Sequence, residues 1–152
     1  MGIVSASEAT RIATAALSSG AADDPLARDR GHVLNAIAIE APNGERAGWF
    51  VPVELDGALL GFVQLGLDGV FRRYGSFHGR SESTAKCPPV SDWVDLDVIT
   101  SRARPLSAPG SQLSTPVLSY DTHPDRLVWT VREIFPGGSS TIFVAGTEAW
   151  RG

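Results

Sequence analysis

The sequence predicts an α+β fold made of two similar halves, each a helix followed by an antiparallel β-meander. Three observations carry that reading. A capped amphipathic helix opens the chain. Asn43-Gly44, Asp56-Gly57 and Asp68-Gly69 then separate alternating apolar runs, the pattern of successive hairpins. Finally, an offset of 80 residues lays Trp49 on Trp129, Val51 on Val131 and Gly57 on Gly137.

A chain of 152 residues can bury a real core, and the 43% hydrophobic and 20% charged fractions suit a globular protein. The net charge of −4 argues against nucleic acid or an anionic membrane as the main partner. Lys86 is the only lysine among 13 basic residues, which together with the many alanines suggests a GC-rich bacterial genome. Cys87 is the only cysteine, so neither an intramolecular disulfide nor a cysteine cage for zinc can form. No motif for a cofactor or a metal stands out. The first residues lack the basic-then-apolar pattern of a secretory signal, and the apolar runs are strand-length, so a cytoplasmic protein is expected.

Ser5 and Glu8 have capping-box spacing, and Ala9, Ile12, Ala13, Ala16 and Leu17 form one apolar stripe, predicting a helix over 6–18 that stops near Gly20. The polar stretch 21–30 reads as a loop. Residues 31–41 alternate at Val33, Ile37 and Ile39 as a strand, which turns at Asn43-Gly44 into a strand with Trp49, Val51, Val53 and Leu55 on one face. Pro52 lacks a ladder donor, which predicts an edge or a bulge there. Two further turns lead to strands at 58–65 and 70–77. A polar connector, 78–91, separates this first half (1–77) from the second (92–152), the whole forming one compact unit. Residues 92–104 fit both a strand alternation and a helix face; the capping residues Ser91 or Asp92 favour helix. Strands follow at 117–121 and 127–135, then a turn at Pro136-Gly137-Gly138 and a last strand region from about 140 to Trp150. After a one-residue insertion, Phe62-Val63 falls on Phe143-Val144.

With Trp49-Phe50-Val51, Asp56-Gly57 and Phe62-Val63 in one half, and Trp129-Thr130-Val131, Gly137-Gly138 and Phe143-Val144 in the other, the chain resembles PepSY-like and cystatin-like α+β modules. The resemblance implies a helix lying across a curled antiparallel sheet and a largely non-catalytic, peptidase-associated, inhibitory or binding role.

Four groups of residues carry side chains capable of chemistry. Ser119, Asp121, His123 and Asp125 could supply metal ligands or a nucleophilic site, but turn formers in one short segment favour a plain turn. Arg72, Arg73 and Arg80 with Tyr74 and Phe77 could grip a phosphate or a single strand; an edge strand protected by arginine is the favoured alternative. On that strand, alternation pairs Arg72 with Tyr74 and Phe71 with Arg73. Glu133 follows Leu127, Trp129 and Val131 on one face where the first half has Val53. A core-facing carboxylate would need an arginine or carry a raised pKa, although a bulge turning it to solvent is the favoured reading. Cys87 reads as an accessible loop thiol, and His32 and His78 as surface residues.

The expected function is a non-enzymatic module that binds a protein or peptide through a sheet edge or a concave sheet face, with Arg72, Arg73 and Tyr74 as candidate binding residues. One alternative is a small enzyme or ligand-binding protein with a pocket between the halves, using Glu133 and a histidine such as His123. The other is a structural subunit of a larger complex.

Overall fold

A computed structural model describes residues 2–79 and 83–152. The fold is α+β, with short helices and two antiparallel sheets. Contacts divide the chain into two units, Met1–Ile39 with Glu45–Val90, and Glu40–Gly44 with Ser91–Gly152. The division at Val90 falls at the end of the expected connector.

In the first unit, α1 (Ala6–Ser18) forms where its apolar spacing places it, and the Ser5 hydroxyl accepts the Glu8 amide at 3.1 Å. Ala9 and Ala13 are fully buried, and their short side chains let the helix lie close on Trp49, Val51, Val63 and Leu65. Residues 21–30 are not all loop. Pro25–Arg30 is a second helix, α2, whose cap is the Asp24 carboxylate, accepting the Ala27 amide at 3.1 Å. A proline in the first turn forfeits no helical bond, and aspartate satisfies an orphan N–H, so Asp24-Pro25 is a helix start.

The first sheet contains β1 (His32–Val33), β2 (Ile37–Glu40), β3 (Arg46–Leu55), β4 (Ala58–Leu65) and β5 (Phe71–Ser76). Its order is β1-β3-β4-β5, with β2 also paired to β3. The single strand expected over 31–41 is therefore interrupted, and Pro52 explains where. Leu34 donates to the Pro52 carbonyl at 2.9 Å, but Pro52 has no N–H to return, and the ladder stops. The Ala36 amide donates instead to the Thr10 hydroxyl at 2.9 Å. Pro52 thus lies on a central strand rather than an edge, with its missing donor facing the gap between β1 and β2.

Two bulges re-aim this sheet. Pairing passes from Val53↔Gly61 to Glu54↔Leu59, leaving Leu60 as the extra residue of β4. It also passes from Gln64↔Arg73 to Leu65↔Phe71, leaving Arg72 unpaired in β5. The second bulge overturns the alternation expected from sequence. Phe71 and Tyr74, opposite Leu65 and Val63, share the face beneath α1, while Arg73 shares the other with Gln64. That other face is not open either: Phe50, Phe62 and Gln64 are all buried.

In the second unit, residues 92–104 are helical, as the capping residues favoured, but in two pieces. These are α3 (Ser91–Val94) and α4 (Leu96–Ala103), divided where the Asp95 carboxylate caps α4 by accepting the amides of Asp97 and Val98. A short 3-10 turn (Arg104–Leu106) precedes β6 (Gln112–Leu113), β7 (Val117–Tyr120), β8 (Leu127–Phe135), β9 (Gly138–Ala145) and β10 (Glu148–Arg151). The order is β10-β9-β8-β6, with β7 also on β8. Ile99 and Ala103 of α4 are buried, as are Trp129, Val131, Ile142 and Val144, on the face the helix covers. Val131 faces Ile142 as Val51 faces Val63, so by ladder position Val63 corresponds to Ile142 and not to Val144.

Candidate functional site

One cluster of chemical groups is one that local sequence reading missed. Asp24, Tyr74 and His78 converge in the first unit, brought together by the start of α2, by β5 and by the turn after it. The Tyr74 hydroxyl donates to Asp24 Oδ2 at 2.5 Å, and His78 Nε2 lies 2.7 Å from the same oxygen. The side chains of His78 and Asp24 are only 5% and 3% exposed. His78 is therefore not the surface residue expected. Gly61 makes the convergence possible, because a Cβ there would meet the Gly75 carbonyl and the Tyr74 phenol.

The electrostatics of the cluster favour holding over proton transfer. Burial raises the Asp24 pKa, but hydrogen bonds from Tyr74, His78 and the Ala27 amide, with the His78 charge, outweigh it and bring it below the ordinary value. An ionised Asp24 requires a hydrogen on the His78 Nε2 that faces it. Burial, followed by the hydrogen bond to Asp24, pushes the Tyr74 hydroxyl far above the usual phenol range. Cys87 is not the freely accessible loop thiol expected: it is half-buried against the cluster around Leu17, Val53 and Leu60. Burial and then the Asp24 charge raise its pKa, so no activated thiolate stands beside the Asp24–Tyr74–His78 cluster.

A groove of about 750 Å³ runs between α2 and β5. Pro25, Leu26 and Asp29 line its helix side, Tyr74 and Ser76 its strand side, and His78 also lines it. β5 is also the edge of its sheet. Phe77 donates to the Leu60 carbonyl at 2.7 Å, so antiparallel alternation turns the Gly75 and Arg73 backbone groups towards β4 and those of Tyr74 and Ser76 outward. No backbone partner meets these outward groups among the described residues.

The sequence-predicted binding residues lie on this strand but do not form a clamp. Arg72 is exposed at the bulge. Arg73 Nε donates to Gln64 Oε1 at 2.8 Å, and its guanidinium lies 4.9 Å from the Phe62 ring centroid. Tyr74 is committed to Asp24. Arg80 lies outside the described residues.

Glu133 is buried, not turned to solvent. Its carboxylate accepts from the Ala108 amide, from Arg151 Nη1 at 2.8 Å, from Ser140 at 3.0 Å and from Ser111 at 3.1 Å. The Ala108 amide first, then Arg151, bring its pKa down to about 2 against burial. No histidine is among these partners. His123 sits in an exposed turn, where its Nδ1 accepts the Asp125 amide at 3.1 Å and Arg126 N–H bonds back to the His123 carbonyl. The Glu133–histidine pair is thus not assembled, and Glu133 instead ties residues 108 and 111 to β9 and β10.

Among the described residues no group of three His, Cys, Asp or Glu side chains could hold a metal ion, and no helix is long and apolar enough to cross a membrane. Comparison with protein-family models, with curated proteins and with solved structures finds no match.

Proposed function

We propose that this protein is a non-enzymatic recognition module that binds an extended peptide, or a strand of a partner protein, along the edge of β5. The observation that carries this is the open hydrogen-bonding edge at Tyr74 and Ser76 running beside the α2 groove. An added strand would gain affinity from main-chain bonds to those groups, and alternate side chains of the ligand would enter the groove. The Asp24–Tyr74–His78 latch supports the reading by fixing both walls, so little ordering cost falls on binding. Both faces of this sheet are covered at Trp49, Val51, Phe50 and Phe62, which favours the edge over the face.

Selection from a randomised peptide library tests this with two variants. Ser76→Pro removes an outward N–H and no ladder bond, whereas Ser76→Ala keeps the N–H and loses only the hydroxyl. Peptides enriched on the wild-type protein are expected to bind Ser76→Ala and to lose Ser76→Pro. Enrichment that ignores Ser76→Pro, or none above background, would remove the edge as the site.

The helix-and-meander units are further proposed to descend from one duplicated module, in line with the resemblance to PepSY-like and cystatin-like folds. Each sheet is connected alike, with a two-residue strand and a following strand pairing with opposite ends of the long Trp-containing strand. Trp49 and Trp129 also share an oddity. Both bury an indole N–H that has no hydrogen-bond partner among the described residues.

A further inference from the structure

A second groove, independent of the β5 edge, lies within the unit that contains β6 to β10. Pairing sets Thr130 opposite Phe143 and Arg132 opposite Thr141. Strand alternation puts these four on the face turned away from the buried Val131, Ile142 and Val144. The groove over them has a volume of about 780 Å³, within the range of small-molecule sites. Val117 and Phe143 give it an apolar floor, and the Phe143 ring is backed by Trp150 at a centroid distance of 5.7 Å. Thr141, Ser119 and Tyr120 are among its lining residues.

Arg132 distinguishes this groove from a plain sheet face. In the same unit Arg102, Arg126 and Arg151 each lie within ion-pair distance of a carboxylate, whereas among the described residues Arg104 and Arg132 do not. The exposed Arg132 guanidinium has no such partner and no hydrogen bond among the described residues. Two carboxylates line the groove, Glu40 and Asp121, of which Asp121 lies 3.9 Å from Arg126. An unpaired guanidinium lining the same groove as an aromatic ring matches an anion carried on a flat apolar body.

We infer that this groove binds a small aromatic carboxylate, its carboxylate on Arg132 and its ring over Phe143. NMR titration with 2-naphthoate and its neutral analogue 2-naphthamide tests this. Naphthoate is expected to give saturable shifts at the amides of Thr130, Arg132, Thr141 and Phe143, and naphthamide to bind about tenfold more weakly. Arg132→Gln is expected to bring naphthoate to the level of the amide. Because the Arg132 side chain is exposed, the variant should keep the wild-type spectrum elsewhere. Equal binding of the two probes, an unaffected Arg132→Gln, or no saturable shift with naphthoate would overturn the assignment.

Discussion

Tyr74 and Arg151 stand at the same ladder position in their two sheets. Val51 pairs with Val63 and Val63 with Tyr74; Val131 pairs with Ile142 and Ile142 with Arg151. Each residue donates to a buried carboxylate, Tyr74 to Asp24 and Arg151 to Glu133. The carboxylates come from different places, one from a helix cap and one from the long strand. The last strand of each meander therefore serves as a donor arm that pins a loop or helix to the sheet.

Removing the arm in the first unit should be costly. Tyr74→Phe keeps the ring's packing but leaves Asp24 with one donor fewer, which is expected to lower stability by about 1–3 kcal/mol. Urea unfolding followed by tryptophan fluorescence would read this as a lower midpoint with an unchanged slope.

In the second unit, Arg151→Met is expected to lower the thermal midpoint, because Glu133 stays buried without its cation. Arg126→Met, which breaks an exposed contact of 3.9 Å to Asp121, is expected to change the midpoint little. Equal effects of the two substitutions in calorimetry would contradict a structural role for Glu133.

The same carboxylate makes stability depend on pH in a defined window. The folded pKa of Glu133, about 2, lies below the ordinary value of 4.5. Its stabilisation is therefore present above 4.5 and is lost as pH falls towards 2. Asp24, also lowered, acts in the same direction. Thermal midpoints measured between neutral pH and pH 2 should fall more steeply for the wild type than for Glu133→Gln, the two curves converging at the acid end. Parallel curves would show that Glu133 does not titrate with folding.

Gly61→Ala tests the close approach of β4, β5 and the Tyr74 phenol. The new methyl would press on the Gly75 backbone carbonyl, which cannot swing away, so a loss of about 1–3 kcal/mol is expected. Gly137→Ala has open space around it and strains only a turn at φ +91°. Its cost should be backbone strain alone, without altered shifts at Tyr74 or Asp24.

What could be read from the sequence follows the range of the forces involved. The span of α1 and the turns at Asn43-Gly44, Asp56-Gly57 and Pro136–Gly138 rest on neighbours a few residues apart, and their signals were legible. α2 is too short for a periodicity signal, although Asp24-Pro25 carried a helix-start signal that its acidic, polar setting hid. The bulges at Leu60 and Arg72 exist only through pairing with another strand, so alternation alone grouped Phe71 with Arg73, whereas Phe71 shares the face of Tyr74. The Asp24–Tyr74 contact spans 50 residues and depends on the Gly61 gap, which no local pattern reveals. Glu133 was legible as an oddity against Val53, but its partners on β9, β10 and the segment before β6 were not.

The most direct test of the account is amide hydrogen exchange across β5, measured by NMR with and without a peptide selected on the protein. In the free protein Arg73 and Gly75 should be protected and Tyr74 and Ser76 should exchange fast. Added peptide should slow Tyr74 and Ser76 while leaving Arg73 and Gly75 unchanged. Protection of all four in the free protein, or a bound peptide that leaves Tyr74 and Ser76 exchanging as before, would contradict recognition at this edge.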